Sequence, residues 1–161
     1  MKQNKDSKSE RYPDRSLRRR TRIKLTVRAV EYIAFQLAQE MLTFDELIPD
    51  FSSRFPNALE SCLAVPFQIF SGRALYPTLI SKAAMLLYLL IKNHPFQNDN
   101  KRIAMTTLFV FLYRNEKWLR VDTRELYNFT VWVAQSPRTV KDETIKATEK
   151  FLHNHLVKLE K

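Results

Sequence analysis

Glycine, cysteine and long apolar runs are scarce in this chain of 161 residues, and each scarcity excludes a class of structure. Glycine occurs once, at Gly72, while seven prolines act as breaks, so we expect mostly helix with short loops. The single cysteine, Cys62, can form no internal disulfide and is typical of a reducing cytoplasm; on an apolar helix face it is predicted to be a buried, inert thiol. The longest apolar run, residues 83–91, is too short to cross a bilayer, and no secretory signal is present, so no membrane association is expected.

Basic charge is concentrated near the N-terminus. Residues 1–28 hold 11 Lys and Arg against three acidic residues, and so carry +8 of the formal net charge of +10. We therefore expect a basic, flexible segment over residues 1–23 and one domain over residues 24–161, in which 45% hydrophobic residues suffice for a core. A solvated segment is the favoured interpretation over contact with nucleic acid, an acidic partner or a membrane surface.

Apolar spacing and capping residues predict a largely helical domain. The first helix is expected over residues 26–42, and a short one from an N-cap at Asn57 to Leu63. A third is expected over residues 78–93, and a fourth has Lys101 and Arg102 in its first turn and continues through residues 103–113. A fifth runs from a capping box at Asp122 to residue 135, and Ser136-Pro137 begins a terminal helix that includes Leu156.

The only strand-like material predicted is a small β-hairpin. Residues 67–70 and 73–76 flank Ser71-Gly72, which places the single glycine of the chain in the turn.

Residues 94–102 carry the chemistry, because they read His-Pro-Phe-Gln-Asn-Asp-Asn-Lys-Arg. A residue before proline avoids the helical region, so the preceding helix should end at Asn93 or His94, and the segment should be a loop that enters the next helix. The N-terminus of a helix binds anions through its unpaired N–H groups and its dipole. Lys101 and Arg102 are unfavourable in a first turn, which indicates a ligand with several negative charges, such as a nucleoside triphosphate; Phe96 is predicted to anchor the loop.

The pattern His-Pro-Phe, three residues, Asn-Lys-Arg resembles the motif of the Fic/Doc family, and its ending resembles the death-on-curing (Doc) branch. The likeness extends to residues 57–61, 65–70 and 75–78, and covers roughly residues 25–160. It implies an all-α fold: a single-domain helical bundle with one small β-hairpin, which serves as a flap.

The resemblance also implies an activity. Fic/Doc proteins transfer a group from ATP, or another nucleoside triphosphate, to a Ser, Thr or Tyr hydroxyl of a target protein. Most Fic proteins move AMP, whereas the Doc toxin moves phosphate to elongation factor Tu. A Doc-like protein would act in the cytoplasm and be restrained by a separate cognate antitoxin.

Carried over by position, the resemblance assigns roles to single residues. His94 would be the general base and Arg102 would neutralise charge during transfer, so both are catalytic candidates. The nucleotide would be held by a set of motif residues: Asn98, Asp99, Asn100, Lys101 and Arg102. Asn98 would stand at the Mg²⁺ position. The flap that positions the target would comprise Gln68, Ile69 and Phe70.

Two motif positions depart from the family pattern. Asn98 replaces an Asp or Glu, and so offers Mg²⁺ an oxygen without charge. Asp99 replaces a Gly or Ala, and we expect its charge to oppose nucleotide binding and its side chain to cap the following helix when no nucleotide is bound.

Three functions therefore stay open: an active protein-modifying toxin, a catalytically impaired relative that acts as a protein-binding module, and a nucleic-acid-binding protein that works through the basic segment. The last is least favoured, because the chain has no helix-turn-helix spacing.

Overall fold

The computed structural model describes residues 23–41 and 50–160, and within them helix predominates, as predicted. The prediction for residues 1–23 lies, except for Ile23, outside the described residues. The α-helices are α1 (Val27–Ala29), α2 (Gln36–Met41), α3 (Pro56–Ala64), α4 (Leu79–Lys92), α5 (Asn100–Arg114), α6 (Thr123–Gln135) and α7 (Lys141–His155). Short 3₁₀ helices are formed by Phe51–Ser53, Val65–Phe67 and Arg138–Val140. The strands are β1 (Ile69–Phe70), β2 (Arg73–Ala74), β3 (Lys117–Leu119) and β4 (Leu156–Lys158).

Helix α4 is the centre of the domain. It contacts α3, α5, α6 and α7, and all of its residues from Ser81 to Lys92 are buried. Its start is fixed by a capping box, in which the Ser81 N–H donates to Thr78 Oγ1 at 2.9 Å and the Thr78 N–H donates to Ser81 Oγ at 3.0 Å. Its C-cap is Asn93, so the predicted end at Asn93 or His94 is confirmed.

Two buried lysines attach α4 to its surroundings. Lys82 Nζ donates to the carbonyl of Pro66 at 3.2 Å and to that of Tyr76, at the two ends of the hairpin segment. Lys92 Nζ donates to the carbonyl of Ala134 at 2.9 Å and to that of Ser136, at the end of α6. Because a buried ammonium is costly without such partners, these contacts make both lysines part of the packing.

The first helical stretch begins as predicted. Thr26 is its N-cap and accepts a hydrogen bond from the Ala29 N–H at 3.1 Å. Between α1 and α2 the backbone follows a π-helical path over Val30–Phe35, which the apolar spacing did not indicate. The predicted end at residue 42 lies outside the described residues.

The predicted hairpin exists, but its strands are shorter than expected. Strands β1 and β2 hold two residues each, and Phe67 belongs to the preceding 3₁₀ helix, where it packs edge-on against Phe111 at a centroid distance of 6.1 Å. Ser71 and Gly72 have φ values of 48° and 75°, the two positive angles of a type I′ turn.

A second antiparallel ribbon corrects the prediction that the hairpin was the only strand material. β3 pairs with β4, with Leu119 opposite Leu156. The helical pattern that predicted Leu156 in the terminal helix is wrong there, because α7 ends at His155 and the chain turns to pair with β3. The Arg120 N–H donates to the His155 carbonyl at 2.9 Å, and this long-range pairing overrides local helix propensity.

Two predicted N-caps are also wrong. α3 begins at Pro56 rather than after Asn57, since the fixed φ of proline suits the first position of a helix. Ser136 is the C-cap of α6, where its hydroxyl donates to the Val133 carbonyl at 2.6 Å, and α7 begins only at Lys141. The predicted start of α6 is confirmed, because Asp122 accepts from the Arg124 and Glu125 N–H groups.

Among the described residues, no helix has both the length and the apolar character needed to cross a membrane.

Thr78→Ala should lower the free energy of unfolding by about 1 kcal/mol, because it removes the acceptor that caps α4. Urea denaturation monitored by circular dichroism measures the change. Thr139→Ala is the matched control, since Thr139 is exposed in the 3₁₀ helix before α7. Equal stabilities of the two variants would contradict a role for the capping box.

Candidate functional site: the loop between α4 and α5

The motif forms the loop that connects the buried helices α4 and α5. After the C-cap at Asn93, His94 adopts a left-handed conformation with φ of 43°, which lets the chain leave the helix before Pro95. The His94 side chain is exposed, and none of the described residues forms a hydrogen bond or an ion pair with its imidazole. The ring is therefore accessible to a proton-bearing group from outside the protein.

Phe96 anchors the loop, as predicted. Its side chain is 2% exposed, and its ring lies 5.9 Å from that of Phe51. The neighbouring Pro95 carbonyl accepts a hydrogen bond from the Phe55 N–H at 2.8 Å. The segment before α3 thus holds the loop down on one side.

Asn100 closes the loop from the other side. Its Oδ1 accepts from the Phe96 N–H at 2.9 Å, and its Nδ2 donates to the Phe96 carbonyl at 2.8 Å. Both ends of the amide therefore bind the loop backbone. The phosphate role implied for Asn100 stays a prediction, and the role that its contacts show is to fix the shape of the loop.

The N-terminus of α5 is not capped by the side chain of Asp99, which corrects one expectation. Asp99 occupies the N-cap position in the left-handed region, with φ of 56° and ψ of 26°, and makes no side-chain capping bond. A glycine would adopt these angles without strain. The carboxylate is not used as a cap because it lies against Arg102 instead.

Asp99 and Arg102 form a partly buried ion pair. Arg102 Nη2 lies 2.8 Å from Asp99 Oδ2, and the two side chains are only 5% and 13% exposed for Arg102 and Asp99. The two residues are about one helical turn apart at the N-terminus of α5, where the helix dipole has its positive pole. Of the motif residues, these two are thus brought together directly.

The remaining motif residues face outward to different degrees. Asn98 is exposed, and Lys101 is partly buried in the first turn of α5. In the part of the chain that the structure describes, no three His, Cys, Asp or Glu side chains cluster around a point that could hold a metal ion. Asn98 offers Mg²⁺ an uncharged oxygen, and the adjacent carboxylate is engaged by Arg102, so this donor set fits the ion poorly.

The hairpin presents its apolar residues to solvent. Ile69 and Phe70 are 70% and 71% exposed, and Gln68 is also exposed. Phe70 pairs with Arg73, and the Leu75 N–H donates to the Gln68 carbonyl at 3.0 Å. Because hydrogen-bonded and non-hydrogen-bonded pairs alternate, Ile69 opposite Ala74 is a non-hydrogen-bonded pair whose N–H points away from the partner strand.

Sequence reasoning missed the contacts that hold the end of α4. Arg138 Nη2 donates to the Lys92 carbonyl at 2.6 Å, two residues before His94. Burial lowers the pKa of the Lys92 ammonium, and the nearby Arg138 charge lowers it further. No local pattern could have indicated these contacts, because their partners are more than 40 residues away in the chain.

Cys62 has the inert character that was predicted. It is buried, and Asn93 Nδ2 lies 3.9 Å from its sulfur. Burial raises the pKa of the thiol to about 11, so the reactive thiolate is scarce at neutral pH.

Comparison with protein families adds an independent finding to this geometry. The model of the Fic/DOC family matches residues 24–112, which is more than half of the chain and includes the whole motif loop. The chain belongs to the Fic/DOC family. This Fic/DOC domain is therefore of the type that transfers AMP or phosphate to proteins, and the helical fold with one small hairpin agrees with that membership. Comparison with curated proteins and with solved structures gives no match.

Asn100→Ala should loosen the motif loop, because it removes both hydrogen bonds to Phe96. We expect a loss of about 1–2 kcal/mol in the free energy of unfolding and a selective increase in the hydrogen-exchange rate of the Phe96 amide. Exchange measured by NMR tests this, with Asn128→Ala on the exposed face of α6 as control. Unchanged protection of the Phe96 amide would contradict the assigned contact.

Proposed function

We propose that this Fic/DOC protein is a Doc-like toxin of a toxin–antitoxin pair, which transfers phosphate or AMP from ATP, or another nucleoside triphosphate, to a hydroxyl side chain of a target protein. One juxtaposition carries the proposal: the accessible imidazole of His94 belongs to the same short loop as the N-terminus of α5, whose N-cap side chain makes no capping bond.

The chemistry follows from the residues of the loop. His94 would accept the proton of the target hydroxyl while its oxygen forms a bond to phosphorus. The bond from that phosphorus to the leaving group breaks at the same centre, which releases pyrophosphate if the α-phosphorus is attacked and ADP if the γ-phosphorus is attacked. The resemblance to the Doc branch favours attack at the γ-phosphorus.

Charge on the transferred group would be met by the positive end of α5 and its basic side chains. Backbone N–H groups at a helix N-terminus suit phosphate oxygens, and Arg102 and Lys101 add positive charge in the first turn. Because Asn98 and Asp99 fit Mg²⁺ poorly, the proposal relies on these protein groups for charge stabilisation.

The exposed hairpin suits a protein substrate. Ile69 offers an outward-facing N–H and a large exposed apolar side chain, the features that an added strand would use. We propose that a segment of the target protein, elongation factor Tu in the Doc toxin, pairs with β1, and that a cognate antitoxin restrains the toxin in the cytoplasm.

A second function is favoured by one observation. The Asp99–Arg102 pair already neutralises the arginine of the motif. A protein in which that pair persists would bind targets through the hairpin without transferring anything, and so would act as a binding module.

Incubation with ATP labelled separately on the α- and γ-phosphate in a cell lysate separates these functions. Label from the γ position in a protein indicates phosphorylation, label from the α position indicates AMP transfer, and absence of both supports the binding module.

His94→Ala should abolish transfer and leave nucleotide binding nearly unchanged, because the imidazole acts on the hydroxyl proton. His153→Ala, at an exposed histidine of α7, is the control. Near-normal transfer by His94→Ala would rule out the general-base role.

Ile69→Pro should block modification of a protein target without unfolding the domain. Proline removes the outward-facing N–H that an added strand needs, while the hydrogen-bonded pairs of the hairpin stay intact. Ala74→Pro makes the same change on the opposite edge of the hairpin and should preserve modification. Gel-based detection of labelled target compares the two; equal activity would mean that β1 does not position the target.

A further inference from the structure

A carboxylate of the motif loop contacts the arginine that the proposed transfer assigns to a phosphate. Arg102 contributes Nη2 to the Asp99 carboxylate at 2.8 Å, and neither side chain is more than 13% exposed. Carboxylate and phosphate are both anions with oxygen acceptors that match the fork of a guanidinium. The N–H of Nη2 that is directed at Asp99 therefore cannot donate to a phosphate oxygen at the same time.

The backbone holds this carboxylate in place. Asp99 has a left-handed backbone conformation, with φ of 56°. Arg102 follows three residues later, about one helical turn, and its guanidinium contacts the Asp99 carboxylate. Asp99 is also the only acidic residue in residues 94–102, which otherwise carry Lys101 and Arg102. The pair thus cancels half of the positive side-chain charge in the motif.

We propose that Asp99 is an internal competitor of the nucleotide phosphate for Arg102, so that binding requires the carboxylate to give up this contact. The inference rests on the proposed function for the identity of the phosphate, and it adds a regulation of the same site. Nucleotide affinity is low while the pair is closed, and a partner or substrate that draws Asp99 away raises it.

Asp99→Asn is the decisive substitution. Asparagine has nearly the same shape and tolerates the left-handed conformation well, so the variant removes the charge and keeps the backbone. We expect ATP and inorganic tripolyphosphate to bind about 10- to 100-fold more tightly than to the unaltered protein, as measured by isothermal titration calorimetry. Asp142→Asn, at an exposed carboxylate in the first turn of α7, is the matched control and should change neither affinity.

A double-mutant cycle separates competition for Arg102 from plain repulsion. In an Arg102→Gln background, Asp99→Asn should produce no gain for tripolyphosphate, because the contested donor is absent. An equal gain in both backgrounds would overturn the proposal and leave simple charge repulsion. If Arg102→Gln does not fold, as judged by circular dichroism, Arg102→Met, which keeps the apolar stem, takes its place in the cycle, and unchanged affinity of Asp99→Asn alone already overturns the proposal.

The outcomes distinguish this inference from the proposed function. Unchanged affinity of Asp99→Asn, with transfer intact in the unaltered protein, overturns the inference alone. Failure of both proteins to bind ATP and tripolyphosphate overturns the inference and the proposed function together. Tighter binding by Asp99→Asn without transfer in either protein supports the inference and rejects the proposed transfer.

Discussion

The burial of α4 on all sides is the constraint on which the rest of the domain depends. A helix with no solvent-facing side must have its ends and its charged residues satisfied from within the protein. Thr78 and Ser81 do this at the start, and Lys92 and Arg138 link its end to the segment around α6. The loop that leaves α4 therefore starts from a fixed point, and the packing of α4 determines where His94 lies.

The parts that could be predicted from sequence were those with local causes. Asp122 caps α6 as predicted, and α4 begins at Leu79, next to the predicted start at residue 78. The motif loop was placed correctly because His94 precedes a proline and Phe96 is a large apolar residue between polar ones. The same short pattern indicated the Fic/DOC family, whose model matches residues 24–112.

The parts that could not be predicted have partners far away in the chain or depend on fine geometry. The pairing of β3 with β4 joins segments about 40 residues apart, so the local pattern around Leu156 predicted a helix where the chain forms a strand. Asp99 was expected to cap α5, since acidic residues often do. Its choice of Arg102 depends on a left-handed backbone that no sequence pattern reveals. The family match ends at residue 112, yet Lys92 and Arg138 show that later helices support the motif.

The backbone conformations at the two ends of the motif loop affect how the loop responds to heating. His94 and Asp99 both hold positive φ values without being glycine, a conformation that costs roughly 1 kcal/mol or more for each residue. The burial of Phe96 and its two bonds to Asn100 offset that cost only while the surrounding helices stay packed. On heating, the loop should therefore relax before the helices melt, so the loop around His94 would lose its shape at temperatures where circular dichroism still reports a folded protein.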